Sequence, residues 1–390
     1  MRRLKVAIIA DYLEEGWPSM DLVADMLLDR LQREHGNAVD PTLIRPSLRR
    51  RATRLRGLQR DTRAFGVDRI ANRLWDYPRV AGRLAGRFDL FHVVDHSYAQ
   101  LVHRLPAART LVTCHDLDTF RSVLEPEAEP RSAWFRAMSR HILEGLKKAG
   151  HVACDSAATR DAVIRKAGVS ADRASVVHNG PHPSCTPSPE VPAEREATRL
   201  LGRPGRTIDV LHVGSTIPRK RIDLLLRIVA RVRHATPTLR LIRVGGPFTA
   251  EQRALARDLG ILDAVLVLPV LDRSTLAAVY RRSALVLMPS EREGFGLPVL
   301  EALACGTPVV VSDIPPLREV AAAAATYCAL DDLDGWSRAV ERLIDERTAA
   351  PSQWALRREA ATRRAGAFSW SQYAADVMSI YTQLARAASC

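Results

Sequence analysis

The sequence predicts an α/β protein made of two doubly wound domains, and three observations carry that expectation. Short, continuously apolar runs alternate with stretches of helical spacing along the chain, the pattern of parallel strands covered on both faces by helices. At 390 residues the chain is too long for one ordinary core, and two domains of roughly 180 residues are expected. Pro181, Pro183, Pro187, Pro189 and Pro192 then break the rhythm. Such a run suits neither a central strand nor a helix interior, so it reads as a semi-stiff linker. The expected division is a first domain over 1–180, a linker over 181–205, a second domain over 206–368 and a terminal helix over 369–390.

Residues 5–10 form the first buried strand. The start resembles a signal peptide for a few positions only, because the apolar part is 6–10 and Asp11 closes it. The helix over 19–33 gathers Met20, Val23, Ala24, Leu27, Leu28 and Leu31 on one face. Strands follow at 88–94 and 110–114, a helix at 132–148, a strand at 152–154, a helix at 157–167 closed by Gly168, and a strand at 175–177. The second half repeats the rhythm, with strands at 208–213, 239–244 and 265–268 and helices at 219–233, 250–259 and 274–282. Three more helices are expected at 334–345, 353–366 and 369–386.

With 47% hydrophobic and 26% charged residues, the composition is that of a soluble globular protein, and no apolar run approaches the ~20 residues of a membrane span. Cysteines 114, 154, 185, 305, 328 and 390 are scattered without a C-x-x-C pair, which points to reduced thiols in a cytoplasmic protein. The net charge of +13 is unevenly placed: from Arg45 to Arg87 thirteen arginines face three aspartates, a local excess of +10. Leu48, Ala52, Leu55, Ile70, Leu74, Tyr77 and Leu84 recur there at helical spacing. That basic amphipathic pattern suits an anionic membrane surface such as the inner face of the cell membrane, or else a solvated face or an arginine-rich coding bias. No nucleic-acid reading module accompanies the charge, so specific nucleic-acid binding is not expected.

The chain is organised around residues 289–308. An apolar run over 284–288 precedes them and a strand over 308–311 follows. Between lie the loop Gly294-Phe295-Gly296, a short helix opened by Leu297-Pro298, and its stop at Gly306. A relaxed loop aimed at a helix start suits an anion. Glu293 stands before the loop and Glu301 sits within the helix. A lone glutamate more often faces solvent, but this helix is apolar on nearly every side, and a buried carboxylate needs donors. Vicinal sugar hydroxyls would supply them. Val213-Gly214-Ser215-Thr216-Ile217-Pro218-Arg219-Lys220 is the second signal, a strand end, a glycine and two cations at an expected helix start, where cations are disfavoured unless an anion binds. Lys220 is one of only five lysines in an arginine-using chain.

Glu293-Gly-Phe-Gly-Leu-Pro-Val-Leu-Glu301, followed by Ala302-Leu-Ala-Cys-Gly306-Thr-Pro-Val-Val, resembles the E-x7-E motif of family 4 glycosyltransferases, retaining enzymes of the GT-B fold that use nucleotide sugars. The resemblance implies two facing Rossmann-like domains, with the last helix crossing back to the first. It implies transfer of a hexose-type sugar from a nucleoside diphosphate, UDP- and GDP-sugars foremost, to a hydroxyl on a glycan, lipid-linked or small-molecule acceptor. Glu293 with Gly294, Phe295 and Gly296 would hold the sugar and Glu301 the ribose. Arg219, Lys220 and the helix start at Leu297 would neutralise the diphosphate, with Gly214 and the Gly245-Gly246 turn beside it. Glu293, His115, Lys220 and Arg219 are the catalytic candidates. Gly16, His115 and Asp116 face the acceptor, His115 either bonding the reacting hydroxyl or sugar or serving as a structural strand-end histidine. The family often has arginine where Ser215 stands, a charge Arg219 would replace, and glycine at Pro269-Val270, which leaves the base open. Asp116-Leu117-Asp118 and Asp332-Leu333-Asp334 spell D-x-D by coincidence, and neither a catalytic metal nor a further cofactor is expected. Two other classes remain: a sugar-nucleotide epimerase of similar fold, and a non-catalytic membrane or partner module, which would have no need of both glutamates and Lys220.

Overall fold

The structure, a computed structural model, describes residues 2–387 apart from 56, 60, 204 and 206. Arg56 and Arg60 of the basic stretch, Pro204 and Arg206 at the expected linker boundary, and 388–390 of the terminal helix, Cys390 included, lie outside them. The chain divides into two compact units, residues 1–179 with 369–390, and residues 180–368.

The first unit holds β1 (Leu4–Ile9), β2 (Val39–Ile44), β3 (Leu90–Val93), β4 (Thr110–Cys114), β5 (His151–Cys154) and β6 (Ala174–Val176), in the order β2-β1-β3-β4-β5-β6. All pairs are parallel. The winding reverses between β1 and β3, and doubly wound sheets take ligands beyond the strand ends at such a point. β2 was not expected, because Pro41 sits inside it. At the sheet edge a missing N–H leaves no ladder bond broken. The terminal helix Trp370–Ala387 belongs to this unit and buries Trp370, Tyr373, Val377, Ile380, Tyr381 and Leu384. The Tyr381 hydroxyl lies 2.8 Å from His92 Nδ1 on β3, and Ser371 donates to Glu34 at 2.8 Å.

The basic stretch corrects its helical expectation at one end. Residues 45–55 are loop with a single 3-10 turn, Ala52–Arg54. Asp68 draws the loop in, accepting from the N–H groups of Arg51 (2.9 Å), Ala52 (2.8 Å) and Thr53 (3.0 Å). Apolar spacing alone could not show that a carboxylate 15 to 17 positions on would claim those donors. Helix Thr62–Ala71 runs through a π turn, Asn72–Asp76, into helix Tyr77–Leu84. Asn72 Nδ2 bonds the Asp68 carbonyl at 2.7 Å there, a side-chain insertion of the kind that accompanies such bulges. Part of the positive excess is met internally: Arg51 pairs bidentately with Asp76 at 2.7 and 2.9 Å, and Arg45 lies 3.0 Å from Asp25.

The second unit holds β7 (Ile208–Val213), β8 (Leu239–Val244), β9 (Val265–Leu268), β10 (Leu285–Met288), β11 (Val309–Ser312) and β12 (Ala325–Cys328), ordered β12-β11-β10-β7-β8-β9 and all parallel. Its winding reverses between β7 and β10, the strands that precede the two motifs singled out in the sequence. The expected linker is largely part of this unit. Helix Val191–Leu201 starts with Pro192 in its first turn, where no N–H is needed, and buries Ala193, Ala197 and Leu201. Arg281 fastens it, bonding Glu194 at 2.8 Å and the carbonyls of Ser184 and Thr186 at 3.2 Å. Cys114, Cys154, Cys185, Cys305 and Cys328 are buried free thiols. Among the described residues no helix is long and apolar enough to cross a membrane.

Candidate active site

In the second unit the two sequence motifs meet at the switch point. After β7 the chain makes a 3-10 turn, Pro218–Lys220, and passes through Arg221 in the left-handed region (φ 49°). Helix Ile222–Ala235 begins only there, three residues later than the spacing suggested. The cations therefore precede the helix. Their placement has a second cause besides any ligand. Lys220 Nζ lies 2.6 Å from Glu293 Oε1, and Arg219 Nη1 lies 3.1 Å from Glu293 Oε2 and 2.8 Å from the Arg292 carbonyl. The Glu291 N–H returns a bond to the Arg219 carbonyl at 2.8 Å. Two loops 73 residues apart are thus zipped together across the switch point. Burial raises the pKa of Glu293, but Lys220 and Arg219 outweigh it, and the net shift is downward. Glu293 is a carboxylate held between two cations.

Three residues beyond Glu293, Gly296 in the left-handed region (φ 100°) opens helix Leu297–Ala304, with Pro298 in its first turn. The N–H groups of Gly296 and Leu297 make no bond to the chain among the described residues. Glu301 is only 3% exposed. Its Oε2 accepts from the Tyr280 hydroxyl at 3.2 Å, Arg273 stands 3.8 Å from Oε1, and Oε1 has no hydrogen-bond partner among the described residues. Burial pushes the Glu301 pKa up, with Arg273 and Tyr280 opposing. The glutamate is buried, as the apolar helix implied, and among the described residues its Oε1 is left without a donor. Gly214 and Gly245 lie back to back: a Cβ on Gly245 would come within 2.1 Å of the Gly214 carbonyl oxygen. Only glycine at 245 allows that approach.

In the first unit, His115 follows β4 and is buried. Both ring nitrogens are already occupied, Nδ1 at 2.6 Å from Asp155 and Nε2 at 2.7 Å from the Val94 carbonyl. Neither is left for an acceptor hydroxyl, which corrects the expected contact. Two acceptors around one imidazole require both nitrogens to donate. Burial opposes that charge, but Asp155 overcomes it and pushes the pKa up to about 9. His115 is a structural cation. Its stabilising contribution is complete below the unfolded pKa near 6.5 and disappears as pH rises through about 9, a difference of roughly 3 kcal/mol. The melting temperature should therefore fall between pH 7 and 10, and Asp155→Asn should flatten that slope. An equal slope in both proteins would refute the assignment.

Asp116 Oδ1 accepts from the Asp118 N–H at 3.0 Å and lies 3.5 Å from His96 Nε2. Asp332 caps helix Leu333–Ala349 through the Gly335 N–H at 2.7 Å. The first D-x-D segment thus closes a turn and the second caps a helix. Gly16 adopts φ 68° after the turn Leu13–Glu15, and Trp17 beside it is exposed. Sequence reasoning missed the group that closes the strand ends of this unit's switch point. Asp11 after β1 and Asp95 after β3 are both buried. Burial first, and then the neighbouring Asp95, raises the Asp11 pKa well above the carboxylate range. The available signal was an aspartate directly following each apolar run.

This chain has the two parallel doubly wound sheets of the GT-B glycosyltransferases, with a cation–carboxylate cluster at the switch point of the second. Residues 22–184 match the family described as Glycosyltransferase Family 4, and residues 194–363 match Glycosyl transferases group 1. The chain belongs to the family 4 glycosyltransferases. It is 32% identical over 239 residues to D-inositol 3-phosphate glycosyltransferase of Mycolicibacterium smegmatis, covering 57% of this chain and 53% of that protein. The chain spans about half the length of the curated relatives it matches. Among solved structures it resembles sucrose-phosphate synthase from Thermosynechococcus elongatus (TM-score 0.73, 20% identity, 99% and 100% of the two chains). It also resembles Anabaena HepE in complex with UDP-glucose (TM-score 0.70, 17% identity, 98% and 100%).

Proposed function

We propose that the protein is a retaining glycosyltransferase that moves a hexose from a nucleoside diphosphate to an acceptor hydroxyl. The observation that carries this reading is Glu301, a buried carboxylate with an unpartnered oxygen, eight residues beyond an ion-paired glutamate at a switch point. A ribose diol offers the donors that Oε1 lacks. Lys220 has three donors and only one is spent on Glu293, so it bridges that carboxylate to a phosphate oxygen. With Arg219 and the open N–H groups of Gly296 and Leu297, it stabilises the diphosphate as it leaves. Stabilising charge that develops in the transition state is usually the largest catalytic contribution. Glu293 keeps lone pairs for sugar hydroxyls while holding the two cations in place. No second carboxylate is assigned as a nucleophile; the departing phosphate assists deprotonation of the acceptor. The acceptor-side assignments, Gly16 and Asp116, belong to the first unit. The donors expected first are UDP- and GDP-sugars, and the reading gives no role to a metal.

A thermal-shift screen against UDP-, GDP-, ADP- and TDP-sugars tests this. One donor should stabilise the protein by about 2.7 kcal/mol at a hundredfold excess over its Kd. Stabilisation by none would sink the reading. Conversion of the donor to its epimer with no acceptor present would favour the epimerase instead.

The basic stretch supports contact with an anionic lipid surface. Trp75 is 63% exposed with the Arg79 guanidinium stacked 3.9 Å from its ring. Leu55, Leu58 and Val67 are exposed on the same segment as Arg50, Arg54 and Arg63. Aromatic and aliphatic tips among arginines that form no ion pair among the described residues fit a headgroup region. Cosedimentation with vesicles should require acidic lipid and fade with salt. Equal binding to neutral vesicles, or none to either, returns the segment to a solvated face.

A further inference from the structure

We propose that Arg243 is a positioning residue for the diphosphate, holding the Gly214–Ser215 turn with its N–H outward and placing beneath it a buried positive charge that a bound diphosphate offsets. This rests on the reading of the second unit as a nucleotide-sugar site.

Arg243 lies within β8 and is fully buried. A guanidinium inside a covered parallel strand is costly unless something answers its charge. Among the described residues no carboxylate does. Its Nη1 donates to two carbonyls, those of Gly214 and Val244, while Nε and Nη2 have no partner among the described residues. Burial lowers its pKa to about 10, so it stays a cation at neutral pH. Its register partner on β7 is His212, buried with both ring nitrogens unpartnered among the described residues. Burial, then Arg243, then Lys220 drive the His212 pKa well down, so His212 is a neutral spacer between two cations. Lys220 pairs with Glu293 above the strand, and Arg243 adds beneath it a cation that no carboxylate answers among the described residues.

Geometry gives the bond to Gly214 its consequence. The peptide is trans and planar, so the Ser215 N–H points opposite to the Gly214 carbonyl. That carbonyl is wedged inward against Gly245, where an added Cβ would sit 2.1 Å away, and Arg243 holds it there. The Ser215 N–H therefore faces away from the strand, and among the described residues it has no acceptor. An outward N–H above a buried cation, at a strand end, offers an anion a donor and a positive charge together.

The test is calorimetric titration of UDP, GDP, ADP and TDP, and of the matching nucleosides, into wild type, Arg243→Met and Arg243→Lys. For the diphosphate that wild type binds best, Arg243→Met should lose at least tenfold in affinity with the nucleoside unchanged. Arg243→Lys, which keeps a donor and the charge, should stay within about threefold. Should the methionine variant not fold, Arg243→Gln takes its place, because it can still bond the Gly214 carbonyl and lacks only the charge; the same selective loss is expected. The inference is overturned if the neutral variant binds diphosphate within twofold of wild type, if it loses nucleoside and diphosphate alike, or if lysine rescues nothing. If wild type binds no nucleoside diphosphate, the nucleotide-sugar reading fails and takes this inference with it.

Discussion

Lys220→Ala should lower kcat/KM for the nucleotide sugar by roughly 2–4 kcal/mol of transition-state stabilisation, about 30- to 1000-fold. Lys220 is 8% exposed and meets Glu293 at 2.6 Å, so its ammonium is pre-set rather than recruited from solvent. The loss should appear in binding of the nucleoside diphosphate as well as in turnover, because the group assigned to this cation is charged before and after transfer. Removing one partner of a buried pair ordinarily costs about 3–5 kcal/mol. Here Arg219 still holds Glu293 at 3.1 Å, so the stability loss should be smaller than that and is measured separately by melting without ligand. Turnover within twofold of wild type would remove the phosphate assignment.

The second large effect separates the two glutamates. Glu301→Gln alters a group assigned to the ribose, a part of the donor unchanged by the reaction. It should weaken ground state and transition state alike, raising KM more than it lowers kcat. Glu293→Gln alters the group assigned to the transferring sugar, whose ring would gain positive charge, and kcat should fall steeply. The ion pairs sharpen this contrast. Without its negative charge, residue 293 no longer competes for Lys220 and Arg219, so the free nucleoside diphosphate should bind Glu293→Gln as tightly as wild type or more tightly. The same ligand should bind Glu301→Gln more weakly. Titration of one nucleoside diphosphate into three proteins decides it. If Glu293→Gln loses nucleotide affinity while Glu301→Gln keeps it, the two roles are exchanged.

What the sequence by itself determined is what local order encodes. The α/β class followed from apolar runs and helical spacing, and the family from one contiguous stretch, Glu293 to Pro308, whose loop, proline start and glycine stop act within a few residues of one another. The burial of Glu301 was legible because its helix has almost no polar side to turn to solvent. Elements were missed where a local rule has a positional exception: Pro41 lies in an edge strand, and Pro192 opens a helix. Tertiary structure alone decided which distant groups meet. It brought Glu293 between Lys220 and Arg219, which explains two cations that looked misplaced before a helix. It spent both nitrogens of His115 on Asp155 and the Val94 carbonyl, set Asp11 beside Asp95, and slid the charge of Arg243 under Gly214. Each of these pairings depends on strand order, and strand order is chosen by how crossovers bury two faces of a sheet, a property of the packed whole that no short window of residues contains.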